Sequence, residues 1–174
     1  MKTNTFYCLL LIVFITSCGS KELTRTDALN ILRTSQDYPT TIDYTLYCND
    51  GNVANRVAKS SLVSDGYVIM AEVRSADKPF FSFTEKAKPF LIKVSDRERA
   101  LGIQVVKLAD EILIDVTGIS TDANSTTATV LYATRLESIS PFAVLLDKGL
   151  TTDKSRKAFF KRYDDGWRIE KRDF

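Results

Sequence analysis

Glu111-Ile112-Leu113-Ile114-Asp115-Val116-Thr117 sets Ile112, Ile114 and Val116 at alternate positions. Successive side chains of an extended chain point to opposite faces, so this spacing predicts a strand with those three residues on one face. Upstream, Gln104–Leu108 is a second β-rich run, and Asp110-Glu111 reads as a loop between the two candidate strands. Downstream, Gly118–Ser125 (GISTDANS) predicts a loop, and Thr126–Arg135 alternates again. Ser138–Leu150 leaves two readings open: Ser140-Pro141 opens a short helix, or Phe142–Leu146 is a further strand. Arg156–Tyr163 and Trp167–Lys171 flank Asp164-Asp165-Gly166, a tight-turn sequence between strand patterns, which predicts a hairpin. From Ile92 on, the patterning is almost entirely β.

The preceding segment reads differently. Thr24-Arg25-Thr26-Asp27 looks like a capping box with Asp in place of Glu, and Ala28, Leu29, Ile31 and Leu32 then cluster on one helical face. This predicts a helix over Thr26–Ser35, stopped before Pro39. Ile42, Tyr44, Leu46 and Cys48 alternate with polar neighbours and predict a half-buried strand. Asn49-Asp50-Gly51-Asn52 supplies a turn and a helix cap, and Val53, Ala54, Val57, Ala58 and Leu62 recur at helical spacing. Tyr67–Arg74 and Phe80–Thr84 read as two strands of a hairpin turning at Ser75–Pro79.

A helix ending at Leu62-Val63, Gly66 close behind, then two strands running into Phe83-Thr84-Glu85-Lys86-Ala87-Lys88-Pro89-Phe90-Leu91 resembles the last helix and wing of a winged-helix domain. Phe83 and Ala87 stand where leucine and glycine are usual, and a strand follows the first helix where a second helix is expected. The closing hairpin, Ala158–Ile169, resembles that of cystatin-like and SnoaL-like α+β domains of small bacterial lipoproteins. The expected fold is therefore α+β, with a helix-rich, winged-helix-like N-terminal half at 25–91 packed with a curved antiparallel β-sheet C-terminal half at 92–174.

At the start of the chain, Lys2 precedes an unbroken apolar run of ten residues, Phe6–Ile15. A helix needs about 20 apolar residues to cross a hydrocarbon core of about 30 Å, so this run reads as a signal peptide over residues 1–17. Ile15-Thr16-Ser17-Cys18 resembles the bacterial lipobox. That resemblance implies cleavage before Cys18, diacylglycerol on its thiol and usually acylation of the new amine. Each buried CH₂ adds about 0.8 kcal/mol, so two or three chains hold the protein on a membrane. Gly19 in place of Asp favours the outer membrane in the sorting pattern that accompanies the motif, and residues 18–24 form the lipidated Cys and a tether.

Composition narrows the chemistry. The 174-residue chain has a formal charge of +2, and loss of Lys2 with the signal leaves +1, which argues against nucleic-acid binding. Within the winged-helix-like segment, Asn55, Arg56 and Lys59 are a sparse basic set for a recognition helix. Of three cysteines, Cys8 leaves with the signal and Cys18 carries lipid, so Cys48 has no disulfide partner in the mature chain. Its phase in the strand reads as a small buried hydrophobe. The chain contains no histidine, which excludes a Ser-His-Asp or Cys-His relay and any zinc site built on imidazole.

The remaining candidates are modest. Asp110, Glu111 and Asp115, and separately Asp164 and Asp165, are acidic clusters whose positions suit turns better than catalysis. Cations concentrate near the C-terminus, and alternation puts Lys161 and Tyr163 on one face and Phe160 and Arg162 on the other. Lys161, Arg162 and Arg168 are candidate binding residues for an anionic partner. Phe80 points away from Phe81 and Phe83 as a contact residue or onto a second core face. Trp167 reads as core. The expectation is a membrane-anchored envelope lipoprotein without catalytic residues, metal or cofactor, binding a protein or an anionic envelope component and not nucleic acid. An envelope enzyme using carboxylate or Lys chemistry, or a small-ligand carrier, is the alternative.

Overall fold

The computed structural model describes residues 22–72, 78–146 and 150–170. Thr24 caps α1 (Arg25–Ser35), its hydroxyl accepting a hydrogen bond from the Asp27 amide at 3.1 Å. After β1 (Thr40–Tyr47), the Asp50 carboxylate caps α2 (Gly51–Lys59) by accepting from the Asn52 and Val53 amides. Ser60 opens the short α3 (Ser61–Ser64). The hairpin expected next is present as β2 (Val68–Met70) paired with β3 (Phe81–Phe83), while residues 73–77 lie outside the described residues. A 3-10 turn at Glu85–Phe90, β4 (Leu91–Ile92) and α4 (Asp96–Ala100) lead into β5 (Ile103–Thr121). Then come β6 (Thr127–Glu137), a 3-10 turn at Pro141–Leu145, β7 (Asp153–Tyr163) and β8 (Gly166–Ile169).

The expectation of a helix-rich, winged-helix-like half packed with a separate sheet half does not hold. Strand outweighs helix, and the antiparallel sheet, ordered β1-β5-β6-β7-β8 with β4 also on β5, curls into a half-barrel. The reason lies in β1, which pairs with β5 from Thr40 opposite Glu111 to Tyr47 opposite Ile103. Its hydrogen-bonding groups are committed to the sheet, so the N-terminal segment has no three-helix core. Nor does the β2–β3 hairpin project as a wing, because Phe81 is 2% exposed inside the core.

β5 causes the curl. The sequence suggested two short strands and a loop at Asp110-Glu111; the structure has one strand of 19 residues. Its register against β6 shifts between Leu113 and Asp115 and again between Val116 and Gly118, and its register against β1 shifts at Ile42/Asp43. Each such bulge inserts a residue, bends the strand and moves the next side chains to the other face. Leu113, Val116 and Ile119 consequently oppose Thr134, Tyr132 and Val130 on the inner face. Ile114, expected beside Val116, is 40% exposed. The predicted loop from Gly118 begins four residues later, after Thr121.

A short helix also interrupts the region read as almost entirely β. In α4 the Ser95 hydroxyl accepts from the Glu98 amide while the Glu98 carboxylate accepts from the Ser95 amide, a complete capping box. Ser140 settles the ambiguous segment as a 3-10 turn, accepting from the Phe142 amide and donating to the Lys107 carbonyl.

Two apolar clusters fill the sheet's inner face. One packs α2, α3 and the β2–β3 hairpin on β1 and early β5 through Leu46, Val57, Leu62, Phe81, Val106 and Phe142. The other packs Ala28 and Leu32 of α1 on Val116, Val130, Ala158 and Phe160. Beyond β1, the outer edge of late β5 has no strand partner among the described residues, and Arg25 of α1 donates to its Val116 and Thr117 carbonyls.

Candidate functional site

Glu111 is 4% exposed on the inner face. Its Oε1 accepts from Thr134 Oγ1 at 2.6 Å, and Arg156 Nη2 spans both carboxylate oxygens at 2.7 and 2.8 Å. Burial alone pushes this carboxyl upward and is the largest single influence. The Thr134 and Arg156 hydrogen bonds, with the charges of Arg156 and Lys154, together outweigh it and hold Glu111 below its ordinary value. Beside the pair, Tyr132 donates to Gln36 Oε1 at 3.0 Å. Burial, then the hydrogen bond with Tyr132, pushes the Tyr38 hydroxyl well above the ordinary tyrosine range. Glu111 thus stays ionised and Tyr38 protonated at neutral pH, and both carboxylate oxygens are occupied. The cluster cross-links β5, β6 and β7 and holds Gln36, at the end of α1, in place.

Gln36 closes one end of a groove between α1 and β8. Part of this groove, about 430 Å³, lies among Ile31, Thr34, Gln36, Trp167, Arg168 and Ile169. An adjoining part, about 350 Å³, lies among Asp27, Asn30, Ile31, Asp165 and Trp167. Ile31 and Trp167 line both. Trp167 Nε1 is buried and has no hydrogen-bond partner among the described residues. A buried donor is normally satisfied, and leaving one orphaned costs about 1–3 kcal/mol.

β8 also presents backbone groups here. Glu170 donates its amide to the Phe159 carbonyl at 2.8 Å, and Arg168 pairs with Lys161. In an antiparallel ladder the alternate residues face away, so the amides and carbonyls of Trp167 and Ile169 point to the free edge. Their side chains pack on the second apolar cluster. The groove therefore offers an apolar wall, a sheet edge that no described strand covers and a carboxylate-lined end.

The residues singled out from sequence are not brought together. Cys18 lies outside the described residues. Phe80 is half-buried against the first apolar cluster, its ring 4.0 Å from where a Cβ on Gly51 would sit. Lys161 and Arg168 share the outer face, their charges 5.7 and 5.4 Å from the Tyr163 ring centre. Arg162 is opposite Trp167 in register, on the other face. Arg168 pairs with Asp165, and Lys161 stands 3.8 Å from Glu170.

Sequence reasoning missed Glu111 as a buried ion-pair partner and Trp167 as a groove residue. Arg156 is 45 positions from Glu111, and only strand register brings them together. Trp167 does pack on the core, as read from sequence, but it also lines the groove. Cys48 is 6% exposed, and burial pushes its thiol up to about 11. Among the described residues no three acidic or Cys side chains gather as metal ligands. No protein-family model, curated protein or solved structure matches this chain.

Proposed function

We propose that this protein is an envelope lipoprotein, anchored through Cys18 in the outer membrane, that acts as a non-catalytic binding module for another protein through the α1–β8 groove. The observation that carries this reading is the groove between α1 and β8, lined by Trp167, whose buried Nε1 has no hydrogen-bond partner among the described residues. Such a donor is satisfied when a partner supplies an acceptor. The buried titratable groups point the same way. Glu111 is locked by Arg156 and Thr134, Tyr38 holds its proton, and Cys48 is held as a thiol, so none is poised as acid, base or nucleophile.

The anchor and the groove are close along the chain. Leu23 is buried in the second apolar cluster, so only residues 18–22 are available as spacer. At about 3.5 Å per residue, the start of α1 at Arg25 stays within roughly 25 Å of a lipidated Cys18. A partner reaching the groove meets it near the membrane surface.

Two measurements test this. Cys18→Ala should release the protein from the membrane fraction and abolish labelling by a palmitate analogue; unchanged partitioning sinks the anchor. A photo-crosslinking residue at Ile31 should capture a protein partner in intact envelopes, whereas one at Leu101, 60% exposed on the connection into β5, should not. Equal capture from both positions, or a defined small molecule at Ile31 in place of a protein, overturns the groove as a protein-binding site.

A further inference from the structure

We infer that the groove takes an extended peptide segment of a partner, added as a strand to the free edge of β8, with a lysine or arginine side chain seated toward Asp27 and Asp165. This deepens the binding-module reading and rests on it. The outward amides and carbonyls of Trp167 and Ile169 have the spacing that another strand satisfies. No compact small molecule reproduces that row of backbone donors and acceptors. Above the edge, Ile31 and Trp167 supply an apolar wall for a side chain on the groove side of the added strand.

The charges of the groove select the peptide. Its hairpin end is lined by Asp27 and Asp165 and, among the described residues, by no cation. Among the described residues lining the adjoining part the cation is Arg168, which pairs with Asp165, and Asp27 has no ion-pair partner among the described residues. An incoming basic side chain is therefore favoured at that end and an acidic one repelled. The Trp167 indole N–H has no acceptor among the described residues, and a main-chain carbonyl of the same peptide satisfies it once the ring turns toward the groove. The edge of β8 is only four residues long, which suits a short segment and disfavours a long flat pairing with a second copy.

The chain contains a single tryptophan, so its indole N–H gives one reporter resonance. Three blocked octapeptides are titrated into the full chain: valine alternating with serine and carrying one lysine in place of a terminal valine, the same peptide with glutamate at that position, and the lysine peptide N-methylated at alternate amides. The lysine peptide should shift the Trp167 indole signal and protect the Trp167 and Ile169 amides from hydrogen exchange. The glutamate peptide should bind at least about tenfold more weakly, and methylation of the edge-facing amides should abolish binding. Trp167→Phe should weaken the lysine peptide, and Ile31→Arg should block it. Indifference to methylation, equal affinity for lysine and glutamate, or no protection at saturating lysine peptide overturns strand addition. So does protection of the same amides by self-association without peptide. If methylation has no effect yet Ile31→Arg still abolishes envelope crosslinking from a photo-reactive residue at Thr34 in the same groove, strand addition falls and the binding module stands; if Ile31→Arg leaves that crosslinking unchanged, the module itself falls.

Discussion

Arg156 grips Glu111 through both carboxylate oxygens, yet the two side chains are unequally buried: Glu111 is 5% exposed and Arg156 41%. Removal of either partner should therefore cost different amounts. Arg156→Ala strands a buried carboxylate and should destabilise by about 3 kcal/mol. Glu111→Gln leaves Arg156 free to turn to water and should cost about 1–2 kcal/mol. Urea unfolding of the two variants measures the difference. A larger loss from Glu111→Gln would show that burial of the carboxylate does not govern the pair.

The same pair sets the acid limb of stability. Hydrogen bonds from Thr134 and Arg156 hold Glu111 below its unfolded value despite burial, so the folded state favours the ionised form. Its contribution is fully present above the ordinary carboxylate value of about 4.3 and is lost as pH falls through the lower folded value. Glu111→Gln should flatten the acid limb while lowering stability at neutral pH. Thermal melts of both proteins across the acid range check this, and parallel limbs would place the acid sensitivity elsewhere.

At the alkaline end the relevant group is Cys48. Burial raises its thiol from 9.0 to about 11, so the folded state favours the neutral thiol, a contribution present below the ordinary value and lost as pH rises through about 11. The raised value alone lowers the thiolate fraction at pH 8 by about a hundredfold. Alkylation of Cys48, followed by peptide mass mapping, should accordingly be at least about a hundredfold slower in the native protein than in urea. Comparable rates would show that the end of β1 opens readily.

What could be read from sequence, and what could not, follows from how local each signal is. Thr24 and Asp50 cap their helices as their spacing indicated, and Asp164-Asp165-Gly166 turns the last hairpin with Gly166 at φ 132°, a conformation that suits glycine. β6 keeps perfect alternation, with Ala128, Val130, Tyr132, Thr134 and Leu136 all buried. Ser95 and Glu98 carried a capping-box signal that the surrounding β pattern obscured. The β1–β5 pairing, the Glu111–Arg156 pair and the groove depend on contacts across long stretches of chain, for which no local periodicity exists. The cationic surface expected of Lys161, Arg162 and Arg168 is not a single patch. The register divides them between two faces, and Asp165 and Glu170 lie beside two of them.

β5 is where local pattern and tertiary structure conflict, and it yields a discriminating pair of substitutions. Strict alternation puts Ile114 inside with Val116 and Leu113 outside. The bulge between Leu113 and Asp115 reverses this, packing Leu113 on the second apolar cluster and leaving Ile114 40% exposed. Ile114→Thr should change stability by less than about 0.5 kcal/mol, since it retains β-branching at an exposed strand position. Leu113→Ala should cost about 1–2 kcal/mol, below the usual range for a fully buried leucine because Leu113 is only partly buried. Equilibrium unfolding of the two variants gives the ranking directly. If Ile114→Thr were the costlier change, β5 would run without that bulge. Val116 would then lose its place opposite Tyr132, and the inner face from which Tyr132 reaches Gln36 would have to be redrawn.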